Sequence, residues 1–308
     1  MARYVTSRLL QALFIVVAIT LGVFGILRVT AGDPARVRAP VFASQDVIDQ
    51  YRADFGTDRS IPAQLGSFVE GVAHGDLGDS FRFQKPVTEL IATALPRTLQ
   101  LALLALLMSV AVAVTLGVLA ARYPGSPWDW LASAIAAIGQ SAPVFWVGLL
   151  LSTYLAVKMG LFPAGGYRGF SSLVLPAVTA ALSIVPTELR VLRESMRSTL
   201  RQEYVRAARA NGVPEWKITF KYALRNASLP LLTVIGVDVG YLLGGVIVAE
   251  VVFNFPGIGQ MALVGLNARD YPLVQGITIV TASVFVLVNL AIDLLYTVVD
   301  PRIRLETT

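Results

Sequence analysis

Two acids, Asp238 and Glu250, lie in the long apolar stretch Leu229–Phe253. An ionisable residue in such a setting faces a polar cavity or the interior of a helix bundle. The alternative for Asp238 is a structural hydrogen bond to a neighbouring helix. Asp293, in the last apolar stretch, is a weaker case because it can snorkel to an interface. Little else in the chain can do covalent chemistry. There is no cysteine, which excludes disulfides and thiolate metal sites. The single histidine, His74, reads as a surface residue rather than a ligand, so no metal site is expected. No Gly-Lys dipeptide occurs: Lys85, Lys158, Lys217 and Lys221 all have the wrong neighbours for a Walker A loop. The chain is expected to have no catalytic residue and to hold no cofactor.

The most specific pattern is "EYVRAARANGVPEW", residues 203–216. Glu203, Arg206, Ala207, Ala208 and Ala210 belong to a strong helix former. Asn211 and Gly212 supply a left-handed stop. Val213 leads to Pro214, which suits the first position of a new helix, with Glu215 in a first turn where the dipole favours an acid. The product is a helix, a fixed bend and a second helix. Its small residues let another protein approach closely. An ordinary polar loop is the alternative, but such loops usually lack capped helices with a small-residue face. Upstream, Arg190, Arg193, Arg197 and Arg201 fall at steps of three and four. They form a basic stripe that would suit anionic headgroups.

These elements need a scaffold. Of the 308 residues, 55% are hydrophobic and only 15% charged, which points to an all-α integral membrane protein. Six stretches are long enough to span a bilayer core of about 30 Å. They are 9–27, 98–121, 131–157, 173–189, 229–253 and 276–299, the last closed by Asp300–Pro301. The first, with Arg3 and Arg8 before it and Thr30–Ala31 after it, could be a signal peptide. Its apolar run is longer than a signal core, which favours a retained span. Pro143 is expected to kink the third span. Pro176 and Pro186 lie near the two ends of the fourth. In the fifth, Gly236, Gly240 and Gly244 are spaced for close backbone approach, either to another subunit or within this bundle.

Basic residues set the orientation. Arg3, Arg8, Arg122, the 190–228 segment, Arg302 and Arg304 fall on one side, so both termini are expected in the cytoplasm. The boundaries read as 1–29 (N-terminus and span one), 30–96 (an outer helical subdomain) and 97–308 (the core, with the loop 190–228). Within 30–96, Ser44–Gly56 and Pro62–Gly75 read as helices and Gly75–Phe83 as a turn-rich loop. Lys85–Pro96 reads as an amphipathic helix on the outer surface. The subdomain is expected to lack a large core. After span five, "FNFPGIG" breaks the helix through Phe255, Pro256, Gly257 and Gly259, and the segment 262–274 is expected to pack back on the outer face.

The chain resembles the permease subunit of binding-protein-dependent ABC importers of the dipeptide/oligopeptide type, B-like branch. The resemblance covers nearly the whole chain. It rests on "EYVRAARANG…ALRNASLP", "GDLGDSF", "LPRTLQLAL", "FNFPGIGQ" and "ARDYPLVQG", in that family's order of motifs. The first is similar to the family's EAA loop, which docks into a cleft of the ATP-binding subunit. It departs from the generic motif at Arg206, where an acid is usual, and in the distance from Gly212 to Pro230.

The resemblance implies a type I ABC importer permease fold in a bacterial plasma membrane. It implies a second homologous permease subunit, two ATP-binding subunits that carry ATP and Mg, and an external substrate-binding protein. Membrane lipid surrounds the chain, and no nucleic acid is involved. It implies peptide import by alternating access, with Asp238 a candidate to line the path and the Phe255–Gly259 loop an outer gate. Nickel chelates or haem are alternative solutes. An ion-coupled secondary transporter is a rival class, but it would carry internal repeats and embedded ion ligands, and neither is evident.

Overall fold

The computed structural model describes residues 2–30 and 32–299. Within these, the side chains of residues 2–9, 12, 30, 243, 245 and 293–299 are not described. The side chains of Arg3, Arg8 and Asp293, residue Ala31, and Asp300–Pro301 with Arg302 and Arg304 therefore lie outside the described residues. Thirteen α-helices are described: α1 (Ala2–Thr30), α2 (Pro34–Arg38), α3 (Gln45–Asp54), α4 (Ile61–Ala73), α5 (Val87–Arg122), α6 (Pro127–Ser141), α7 (Val144–Leu151), α8 (Ser171–Leu200), α9 (Glu203–Ala210), α10 (Glu215–Lys217), α11 (Leu224–Val252), α12 (Ile258–Asn267) and α13 (Tyr271–Val299). The six predicted spans fall on α1, α5, the α6–α7 pair, α8, the α10–α11 run and α13. The chain is a multi-pass membrane protein.

It divides into two units, residues 98–256 and residues 1–97 with 257–308. In the first, α8 and α11 share the most extensive helix contact among the described elements. Its core is built from Leu101, Ala177, Ile184, Leu189, Leu242 and Phe255 with many alanines. Small residues replace bulk here because lipid offers no hydrophobic drive between helices, and close packing must supply the attraction. Gly139 on α6 shows how close: a Cβ there would lie 2.6 Å from Pro186 Cγ and 2.7 Å from the Leu182 carbonyl oxygen of α8. Pro186 cannot donate to that carbonyl, which faces the Gly139 backbone.

Pro143 does more than kink its span. α6 and the α7 helix with its π-helical extension Ser152–Lys158 meet at 111°. Both Ala142 (ψ 130°) and Pro143 (ψ 129°) are extended. The residue before a proline is pushed out of the helical region, so two consecutive residues leave the helix and the span is broken rather than bent.

In the second unit, α1 packs along α13 and α12 packs back on α13. The helices expected in the 30–96 segment form as α3 and α4, and neither has a buried residue. The expected separate surface helix at 85–96 does not exist as such. Those residues begin α5, a single helix of 36 residues that continues through Pro96, about 54 Å long at 1.5 Å per residue. Its first turns bury Val87, Ile91 and Ala94 against Ile258, Leu273 and Ile277. The turn-rich loop is anchored by Asp270, fully buried on the connection to α13. Ser80 Oγ donates to Asp270 Oδ2 at 2.5 Å and the Arg82 N–H at 2.9 Å. The Leu273 N–H donates to Oδ1. His74 is exposed, and its Nδ1 lies 2.8 Å from the Glu70 carbonyl oxygen.

Candidate coupling element and buried acid pair

The stretch 203–216 folds as a helix, a tight bend and a helix start. Gly212 takes φ +73°. Its N–H donates to the Arg209 carbonyl at 3.1 Å, and the Val213 N–H donates to the Ala208 carbonyl at 3.1 Å. This paired pattern is the Schellman motif. A residue with Cβ would be strained at this φ. Pro214 is extended (ψ 142°) and stands just before α10 rather than as its first residue. Its carbonyl accepts from the Lys217 and Ile218 N–H groups. α10 then widens into a π-helical turn, Ile218–Ala223, before α11 begins.

Side chains lock the bend. Arg209 Nε donates to Glu215 Oε1 at 2.6 Å, and Arg122 Nη1, at the end of α5, donates to Glu215 Oε2 at 2.9 Å. The same Arg122 nitrogen donates to Thr219 Oγ1 at 2.7 Å. Arg209 and then Arg122 hold the Glu215 carboxyl below the usual carboxylate range. Val205, fully buried, seats α9. Asn226 Nδ2 donates to Tyr204 Oη at 2.9 Å, tying α9 to α11.

The remainder of the element faces outward. Glu203 and Arg206, paired at 3.0 Å, are exposed, as are Ala207, Ala210, Asn211 and Gly212, while Ala208 and Val213 are half-buried. Trp216 and Phe220 add large exposed apolar area, at 63% and 58%. A rigid, small-residue surface flanked by exposed aromatics has the anatomy of a protein docking site.

The basic stripe is only partly a free face. Arg193 Nη1 and Arg197 Nη2 each lie 2.9 Å from Asp129, on separate carboxyl oxygens. The Gly125 N–H and these two arginines hold the Asp129 carboxyl below its ordinary range. Arg190 Nε donates to the Pro186 carbonyl. Arg193 and Arg197 thus bind α8 to the start of α6, leaving Arg190 and Arg201 exposed. Asp129 escaped the sequence reading. The available signal was a lone acid in the short loop 122–130 on the same predicted side as the stripe.

Asp238 is buried on α11 and Glu188 fully buried on α8. The two carboxyls interact electrostatically. Glu188 Oε1 and Oε2 and Asp238 Oδ2 have no hydrogen-bond partner among the described residues. Glu188 was missed because the two acids meet only when α8 packs on α11. Glu250 is also fully buried and accepts from Thr98 Oγ1 at 2.6 Å. Along α11, Gly236 is buried, Gly240 half-buried and Gly244 exposed, with nothing within 4 Å of a Cβ placed there. The glycine row therefore turns from an internal contact to an open face.

α11 ends at Val252. Asn254 takes φ +46° and the Phe255 N–H donates to the Glu250 carbonyl at 2.8 Å. Phe255 is fully buried, edge-on to Tyr167 at 5.8 Å. Pro256 follows in the same unit. In the other unit, extended Gly257 precedes α12, and Gly259 is buried in its first turn.

The comparisons agree with this architecture. The model for the inner membrane component of binding-protein-dependent transport systems matches residues 113–305. The model for the N-terminal part of such components matches residues 1–102. The probable peptide ABC transporter permease protein y4tP of Sinorhizobium fredii is 35% identical over 312 residues, covering 99% of this chain and 100% of that one. A putative peptide permease of Brucella suis is 37% identical over 317 residues, covering 99% of each. The dipeptide transport system permease DppB of Alkalihalophilus pseudofirmus is 33% identical over 334 residues, covering 99% and 100%. Among solved structures, a chain of the inward-facing MetNI methionine ABC transporter superposes with a TM-score of 0.57 at 18% identity, covering 68% of this chain and 96% of that chain. A chain of an amino acid ABC transporter superposes with a TM-score of 0.52 at 17% identity, covering 70% and 94%. The fold is the type I ABC importer permease fold, and the chain belongs to the family of inner membrane components of binding-protein-dependent transport systems.

Proposed function

We propose that this chain forms one half of the transmembrane pathway of an ATP-driven importer of short peptides. The carrying observation is the exposed, locked helix–bend–helix at 203–216, a rigid lever in a chain without a phosphate-binding Gly-Lys motif. ATP and Mg bind on two separate ATP-binding subunits, one of which seats this element. The names of the relatives, peptide and dipeptide permeases at 33% to 37% identity, support the substrate class. The element faces the cytoplasm and, with it, both termini. A second, homologous permease subunit completes the pathway against the open end of the Gly236–Gly240–Gly244 row. An external substrate-binding protein delivers peptide to the side carrying residues 30–96.

In this reading the Glu188–Asp238 pair stands at the path or hinges it, and the segment Phe255–Gly259 gates the outer side. The test is uptake of a labelled dipeptide into proteoliposomes holding the full assembly, with ATP inside and the binding protein outside. Uptake that needs ATP and the binding protein supports the proposal. Uptake driven by an ion gradient without ATP overturns it.

A further inference from the structure

A cavity of about 380 Å³ opens where α5 and α8 end. Four guanidiniums line it: Arg122, Arg197, Arg201 and Arg209. Its one acid, Glu215, is already bonded to Arg122 and Arg209. Arg197 spends Nη2 on Asp129, but its Nε is buried and has no hydrogen-bond partner. Arg201 has no carboxylate partner among the described residues and is exposed. The helix ends here present carbonyls, so the arginines supply the cationic donors.

The level of the cavity is also marked. α5 and α8 are both long and apolar enough to cross a membrane. α5 ends one residue past the second predicted span and α8 runs eleven residues past the fourth, on the side that carries the basic residues. Exposed Tyr123 lines it, and Trp128 and Trp130 follow at the start of α6, 47% and 73% exposed, residue types that suit a membrane interface. Ala121 and Leu200 give the cavity an apolar wall.

We propose that this cavity binds a phosphate-bearing anion, supplied by the head group of an anionic phospholipid. Guanidiniums recognise phosphate oxygens through paired hydrogen bonds, and basic pockets between membrane helices suit such head groups. The phosphate takes Arg201 first among the lining guanidiniums, and the glycerol lies along Ala121 and Leu200. Since Arg122 and Arg209 also hold Glu215, occupancy bears directly on the bend of the coupling element. This site does not depend on which solute is carried.

The test uses the assembled transporter in nanodiscs of phosphatidylcholine with or without phosphatidylglycerol. Native mass spectrometry counts retained lipid in the wild type, Arg201→Gln and Arg201→Lys. The expected result is preferential retention of phosphatidylglycerol, about tenfold weaker in Arg201→Gln and restored at least partly by Arg201→Lys. Thermal stabilisation by inorganic phosphate alone, lost in Arg201→Gln, with no lipid preference, supports the phosphate site but makes soluble phosphate its occupant. Equal phosphatidylglycerol retention in wild type and Arg201→Gln, with no effect of phosphate, overturns the site. So does loss of ATP-binding-subunit assembly in Arg201→Gln at unchanged lipid retention, which assigns the cavity to a protein contact instead.

Discussion

Arg209 Nε donates to Glu215 Oε1 at 2.6 Å, across the bend that Gly212 and Pro214 create. The bond closes a ring between two helices, and Arg122 fastens that ring to the end of α5. The element is therefore a stiff extension of the transmembrane bundle. A lever of this kind is what motion transfer from a partner requires.

Glu215→Gln should leave global stability nearly unchanged, since ion pairs this exposed are worth about 0.2–1 kcal/mol. Its effect should appear in coupling, with fewer peptides carried per ATP. The pH dependence has a defined sign. Arg209, then Arg122, lowers the folded pKa of Glu215. The stabilisation is fully present above the unfolded value of about 4.3 and is lost as pH falls through the lower folded value. A fluorescence titration of Trp216, taken as the difference between wild type and Glu215→Gln, should show its midpoint below about pH 4.3. A midpoint near neutrality would mean that the clamp is not what orders the bend.

Gly212→Val places a β-branched residue at φ +73°. The left-handed region costs a residue with Cβ roughly 1–2 kcal/mol, and no neighbour lies within 4 Å of the new Cβ. The damage is therefore conformational and local. ATP hydrolysis should persist while peptide uptake falls several-fold, measured together in the same proteoliposomes. Equal loss of both would point to failed assembly instead, which co-purification of the ATP-binding subunits would reveal.

Much of this element could be read along the chain, because caps are local. Asn211, Gly212 and Pro214 specify a stop, a bend and a restart within four positions. The six apolar stretches were equally plain, since each is contiguous. What escaped depended on distant partners or on the size of a local distortion. Asp129 matters only because Arg193 and Arg197 arrive from α8, and Glu188 only because α11 brings Asp238. Pro143 announced a defect in its span, but the extended backbone of Ala142 decided that the defect is a 111° break. Pro96 closed the expected surface helix, but α5 continues through it.

Asp129→Asn removes the partner of two arginines whose side chains are 22% and 25% exposed. Charge-assisted hydrogen bonds in partly buried settings are worth about 1.5–3 kcal/mol. The thermal midpoint of the purified protein in detergent should fall by several degrees. An unchanged midpoint would mean that Asp129 does not hold α8 to α6.

Glu188→Gln and Asp238→Asn act on one contact, and their effects should not add. The double variant should differ from the sum by on the order of 0.5–3 kcal/mol in stability, as neighbouring groups do. Asp238→Asn should also slow uptake. A protein carrying it that transports at the normal rate would remove this pair from the path and leave it a packing feature of α8 and α11.

The central claim is that 203–216 seats in an ATP-binding subunit. The chain has no cysteine, so one cysteine introduced as Ala207→Cys, at an exposed position on α9, reports alone. With a cysteine-free ATP-binding subunit carrying a single test cysteine in its surface cleft, oxidative cross-linking in membranes should join the two chains. The yield should change with ATP and vanish when the cysteine is moved to exposed Trp130 as a control. Cross-linking from Ala207→Cys that is absent, or no greater than from Trp130→Cys, would contradict the account.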